Sequence, residues 1–244
     1  MLCLSSYFDC KTREVPNRVW LLSIPLGGAL TLIDLWTLRF DHPQTLGTVL
    51  SIALTCAVAI AISYFGLFGG ADAKALIFVS ATTPLPPQLL NTRVEHLLPS
   101  FPISVLDNTL AISVLVIPYA IFSNIAWVTL RKRKLFTGLE SESPARKLTA
   151  LLLCLKMEKT KTKPYHMPAE RIEVHEDGST SRRLKLFTRV WEREKMTVEL
   201  YKLPDELFIS FSLPLLIFMT IGYVAALLVG DMVFLLVARL LYTG

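Results

Sequence analysis

The apolar residues of this chain are gathered into blocks, each closed by a polar link. The longer blocks, at 19–38, 46–65, 106–130 and 207–229, run to roughly 20 residues, the length a helix needs to cross a hydrocarbon core of ~30 Å. Shorter blocks lie at 1–8, 73–83 and 232–242. Of 244 residues 52% are hydrophobic and 18% charged, whereas a soluble domain carries about 25% charged residues. A soluble core has no room for that excess. The pattern predicts an all-α polytopic membrane protein with about six transmembrane helices. The first of them is short or truncated, because eight residues precede Asp9, or ~12 Å of helix. Pro84, Pro86 and Pro87 also end the fourth block early. Its ~16 Å of helix is expected either to continue irregularly or to dip in as a half-helix covered by its neighbours.

One sizeable polar region, 131–206, precedes the last long block. It opens on the basic cluster RKRK, and Ser143 and Pro144 form a helix start, as cap and first helical residue, for a surface helix over 145–159. Alternating residues on both sides of Asp177-Gly178 predict a β-hairpin within 171–186. The expected division is a membrane core at 1–130, a small α+β insertion at 131–206, and a last transmembrane helix with its tail at 207–244. Charge sets the orientation. If the Asp9 loop faces the cytoplasm, Lys11, Arg13, Arg18, Lys74 and the RKRK region fall inside, leaving only Arg39 and Arg93 in the outer loops. The net charge of +5 is therefore read as membrane orientation and not as nucleic-acid binding.

Two aspartates stand at borders of apolar blocks, Asp9 in YFDCKTREVPNR and Asp72 in FGLFGGADAKAL. Taken singly, Asp72 reads as a helix cap and Asp9 as a solvated loop carboxylate. The predicted topology brings both to one membrane face, where carboxylates count as functional candidates. Gly69 and Gly70 beside Asp72 allow a tight turn and close backbone approach. Two carboxylates held together cannot easily both ionise. The ionised one can take a proton from water while the protonated one polarises a scissile carbonyl, chemistry that needs neither metal nor cofactor. Lys74 reads first as an orientation anchor and second as a neighbour that lowers carboxylate pKa values. Asp34 and Asp231, near other helix ends, read as solvated. Cys3, Cys10, Cys56 and Cys154 show no CxxC spacing, and the four histidines are scattered, so no metal site is expected.

Residues 9–17, DCKTREVPN, and 69–76, GGADAKAL, resemble the two signature regions of the type IV prepilin peptidases. More narrowly they resemble the archaeal preflagellin (prearchaellin) peptidases, GxGD-type aspartyl proteases. The resemblance implies catalytic roles for Asp9 and Asp72, with Gly69, Gly70, Ala71 and Lys74 as turn and motif support. Ala71 stands where the GxGD pattern has glycine and is read as a tolerated variant. The resemblance also implies cleavage of the short basic leader of prepilin-like or preflagellin precursors at the cytoplasmic face of the plasma membrane. Bacterial members carry paired CxxC motifs and methylate the new N-terminus; without those cysteines, cleavage without methylation is implied. The implied partners are the precursor proteins and the lipid bilayer. The alternative from the residues alone is an ion- or proton-coupled transporter that uses Asp9 and Asp72 as carboxylate sites.

Overall fold

The fold is taken from a computed structural model, which describes residues 1–66, 68–87, 100–162, 166–174, 180–186, 204–210 and 214–242. The chain forms two compact units, Met1–Val114 with Pro214–Gly244, and Leu115–Leu213.

The first unit is helical. It comprises α1 (Leu2–Thr12), α2 (Asn17–Thr37), α3 (His42–Tyr64), α4 (Gly70–Thr82), α5 (Phe101–Ser113), α8 (Leu215–Leu228) and α9 (Met232–Tyr242). Its helices are patterned the reverse of soluble ones. On α2 the buried positions are Trp20, Ser23, Gly27, Thr31 and Leu35, while Leu21, Leu22, Leu26, Ile33 and Trp36 point outward. On α3, Thr48, Ser51, Thr55 and Ala59 face inward, and Leu46, Leu50, Leu54 and Ile60 are exposed. Small residues every third or fourth position let backbones approach, as in membrane helix pairs, and large apolar side chains are left for lipid. Gly27 shows the tightness: a Cβ there would lie 2.4 Å from Thr82 Cγ2 on α4. One step further along the same face, Thr31 Oγ1 donates to the Ala81 carbonyl at 2.6 Å.

Among the described residues three stretches are long and apolar enough to cross a membrane: Asn17–Thr37, His42–Tyr64 and Phe101–Arg131. The bent pair α8 and α9 makes a fourth if counted as one span. These helices and the reversed patterning are consistent with a membrane protein. The fold expected from sequence is thus met in its helical character and small strand-bearing insertion, with three or four crossings by length and composition where about six were expected. The shortfall lies in α1, with 11 residues, and α4, with 13. The latter ends at Thr82 and packs against α2, α3 and α5, with Ala75, Leu76, Val79 and Ser80 buried. Its neighbours thus cover a helix too short to cross on its own.

A close crossing joins α5 and α8. A Cβ on Gly222 would lie 2.6 Å from Thr109 Oγ1, 2.9 Å from Thr109 N and 3.0 Å from Val105 O. Backbone atoms cannot yield as a side-chain tip can. Gly222→Ala should therefore destabilise this unit by about 1–3 kcal/mol, seen as a lowered unfolding temperature in detergent.

Among its described residues the second unit contains α6 (Val116–Arg131), α7 (Pro144–Leu153), five short strands and a 3-10 turn (Lys159–Lys161). Pro118 explains why the apolar block 106–130 breaks between Ser113 and Val116: its ring crowds the carbonyl four residues back, at Val114, and it donates no hydrogen bond. Ser143 caps α7 as expected, its Oγ accepting from Arg146 N at 3.4 Å, and Pro144 is the first helical residue. The helix stops at Leu153, short of the expected 159. Cys154–Glu158 instead forms β1, which pairs antiparallel with β5 (Glu206–Ser210), Leu155 opposite Ile209. Buried Asn124 enforces the switch. Its Nδ2 donates to the Leu151 and Cys154 carbonyls, and its Oδ1 accepts from Lys156 N at 2.9 Å. Residues 207–210, expected to begin the last apolar helix, are therefore strand.

The strand β2 (Met167–Pro168) completes a sheet of order β1-β5-β2. The expected hairpin strands are β3 (Glu170–Val174) and β4 (Thr180–Leu184), antiparallel with Ile172 opposite Arg182. The Asp177-Gly178 turn lies outside the described residues. Leu139, Ala150, Cys154, Ala169, Leu184 and Phe208 form the core, with Phe136 stacked on Phe208. Burial pushes the Cys154 thiol up to about 12 and so keeps it protonated.

Candidate active site

Asp9 belongs to the last turns of α1 and not to a loop. Leu2, Ser5 and Ser6 are the buried residues of this helix, which packs on α8. Ser6 Oγ donates to the Leu216 carbonyl at 2.8 Å. Four residues beyond Ser5, Asp9 lies on the same helical face. The α8 helix begins after Pro214, which offers no capping side chain, so its first N–H groups need acceptors. Asp9 Oδ2 supplies one, accepting from Leu216 N at 3.3 Å. An anion at a helix N-terminus is also favoured by the helix dipole. Arg13 follows α1 in the left-handed conformation (φ 59°, ψ 17°), with its backbone N–H on the Asp9 carbonyl. Its Nη1 lies 3.7 Å from Asp9 Oδ1, and the two side chains are 12% and 13% exposed.

Asp72 is the third residue of α4, and its Oδ2 accepts from Gly69 N at 3.0 Å. This is the acidic half of a capping box, so the simpler reading of Asp72 as a helix-start acid is correct as far as it goes. Gly69 is extended (φ −70°, ψ 155°), and its value lies in space: a Cβ would sit 3.1 Å from Asp72 Oδ2. Gly69→Ala should leave the fold intact but displace that carboxylate by a few tenths of an ångström. Any turnover that depends on the placement of this carboxylate is expected to fall roughly tenfold, as measured by initial rates. Gly70 opens the helix with nothing within 4 Å of its missing Cβ. Ala71 is the second helical residue and needs no positive φ, which explains why alanine fits there. Lys74 Nζ donates to Asn17 Oδ1 at 2.7 Å, tying α4 to the start of α2.

The two aspartates share a setting. Each accepts a backbone N–H at the start of a helix, Asp72 on its own α4 and Asp9 on α8. The Asp9 charge acts on Asp72, and Arg13 acts on both. The site therefore holds two partly buried carboxyls whose charges interact, with a guanidinium beside one.

The remaining acids divide differently from the sequence expectation. Asp34 is exposed on α2. Asp231 is buried (1% exposed), not solvated, and starts α9 by accepting from Phe234 N at 2.9 Å. Here α8 and α9 meet at a 56° bend through Gly230 (φ 90°). Asn108 satisfies both broken ends, donating to the Gly230 carbonyl at 2.7 Å and accepting from Met232 N at 2.8 Å. Asp107, which the sequence did not single out, precedes Asn108 on α5, and its charge interacts with that of Asp231. These groups hold the bend together. Among the described residues no three His, Cys, Asp or Glu side chains gather as a metal site.

Comparison with known proteins adds two matches. Residues 1–123, which include Asp9 and Asp72, match the type IV leader peptidase family. Residues 146–232 match the archaeal peptidase A24 C-terminus, type II. A search of curated proteins returns no match.

Proposed function

The chain belongs to the type IV leader peptidase family, and from that premise we propose that it is an aspartic endopeptidase embedded in the plasma membrane. Its catalytic pair is Asp9 and Asp72. It removes the short basic leader from prepilin-like or preflagellin precursors, with the site and the strand-bearing unit on the cytoplasmic side of about six crossings. Lys11, Arg18 and Lys74 around the pair, with the RKRK cluster at 131–134, support that orientation.

One observation carries the reading: Asp9 and Asp72, 63 positions apart, each accept a backbone N–H at a helix start within one unit, and the charge of one bears on the other. Like charges so placed favour a single shared proton. The ionised carboxylate takes a proton from water as the water oxygen attacks the scissile carbonyl. The protonated one hydrogen-bonds the carbonyl oxygen as it gains charge, and the tetrahedral intermediate then releases the amine. Four cysteines without CxxC spacing support cleavage without N-methylation.

The experiment is cleavage of a precursor with a short basic leader by the purified protein in proteoliposomes, with both products identified by mass spectrometry. The expected product is one shortened chain with an unmodified N-terminus. An intact precursor, together with ion flux abolished by Asp9→Asn or Asp72→Asn, would favour a transporter instead.

A further inference from the structure

Arg13 caps the C-terminal end of α1 through its backbone, and its side chain stands beside Asp9. It ends α1 at φ 59°, a left-handed conformation that residues with a Cβ enter at a cost and that glycine usually fills. Its side chain does not run into water. Lys11 and Arg18, the neighbouring basic residues, are exposed, as orientation anchors should be. The Arg13 side chain is 12% exposed and turns back one helical turn, to 3.7 Å from Asp9 Oδ1. A strained backbone that buries a cation against a candidate catalytic group is a reason to look for function.

The two carboxyls are unequal in consequence. Among the described residues Asp9 receives the Leu216 N–H and the guanidinium, whereas Asp72 receives the Gly69 N–H. The other charged groups nearby are Lys11 and Glu14 next to Arg13 in sequence, Arg18 at the start of α2, and Lys74 on α4, engaged by Asn17. The α8 sequence carries no charged side chain. We propose that Arg13 is a positioning residue that keeps Asp9 as the ionised, water-activating member of the pair and leaves the shared proton on Asp72.

This assignment rests on the peptidase reading above and fixes the direction of each proton. Asp9 takes a proton from water as the new C–O bond forms, and Asp72 gives its proton to the carbonyl oxygen. On collapse the C–N bond breaks and Asp9 passes its proton to the leaving nitrogen. One hydroxyl of the intermediate returns a proton to Asp72 as the new carboxyl group forms. Both aspartates end as they began.

The test is the pH dependence of kcat and KM on a precursor with a basic leader, for wild type, Arg13→Gln, Arg13→Lys and Arg13→Gly in proteoliposomes. Removing a cation makes Asp9 harder to ionise, so the acidic limb of kcat/KM in Arg13→Gln should move to higher pH by about one unit. At neutral pH kcat should fall roughly tenfold with KM within about twofold. Lysine should restore most of the limb. Glycine accepts the left-handed backbone, so Arg13→Gly should behave like Arg13→Gln without a lowered unfolding temperature. An acidic limb that stays in place in both Arg13→Gln and Arg13→Gly overturns the assignment. So does a loss of rate that follows a loss of folded protein. Failure of the wild type to cleave is a separate result, which removes the peptidase reading and this assignment with it.

Discussion

Glu170→Ala should destabilise the unit Leu115–Leu213 by about 3–5 kcal/mol, the usual effect of removing one partner from a buried ion pair. Glu170 is 1% exposed, and its carboxylate bonds both Lys156 and Arg182. Its Oε1 accepts from Lys156 Nζ at 3.3 Å and from Phe208 N at 2.6 Å. Its Oε2 accepts from Arg182 Nε at 3.1 Å and also from Nη2. Burial already holds the Lys156 ammonium below the ordinary lysine value, with Glu170 opposing that loss of charge. Truncation would strand this ammonium beside the Phe208 ring and leave the Phe208 N–H without its acceptor. Glu170→Gln should fall between, since it keeps an acceptor but loses the charge. Denaturant unfolding in detergent reads both, and a change below about 0.5 kcal/mol for the alanine variant would refute the role given to Glu170.

Asp9→Asn and Asp72→Asn should each lower the cleavage rate by ~10³-fold or more, while the protein inserts and folds. Asparagine has nearly the same shape, and its Oδ1 can still accept from Leu216 N or Gly69 N, so the starts of α8 and α4 keep their bonds. What it cannot do is exchange a proton near neutral pH. Loss of the Asp9–Arg13 ion pair adds little to the stability change, because one long, imperfectly aligned pair contributes modestly. The effect is therefore on turnover and not on folding.

The apolar blocks and the two border aspartates were legible in the sequence because they depend on local composition. Ser143-Pro144 at the start of α7 was legible for the same reason, as were the strands around Asp177-Gly178. What sequence could not show depends on partners distant in the chain. Residues 154–158 carry a helix-compatible pattern, and it is Asn124 and β5 that make them strand. Residues 207–210 are apolar enough to open a membrane helix, but Leu207, Phe208 and Ile209 are buried in a sheet. Asp231 looked like a solvated helix end until Asn108 and Asp107 enclosed it. Arg13 looked like one more orientation charge. Nothing local says that its backbone turns left-handed and its side chain folds back on Asp9. The pairing of Asp9 and Asp72 is suggested by motif and topology, whereas the contact of Asp9 with Leu216 depends on a partner distant in the chain.

The most direct test of the central claim is a double-mutant cycle on cleavage rate, comparing wild type, Asp9→Asn, Asp72→Asn and the double variant in one membrane preparation. Single-turnover conditions make small residual rates measurable. If the two carboxyls share one proton and one reaction, the double variant should be no slower than the slower single variant. Undiminished cleavage by either single variant, or a double variant whose loss is the product of the two single losses, would contradict it.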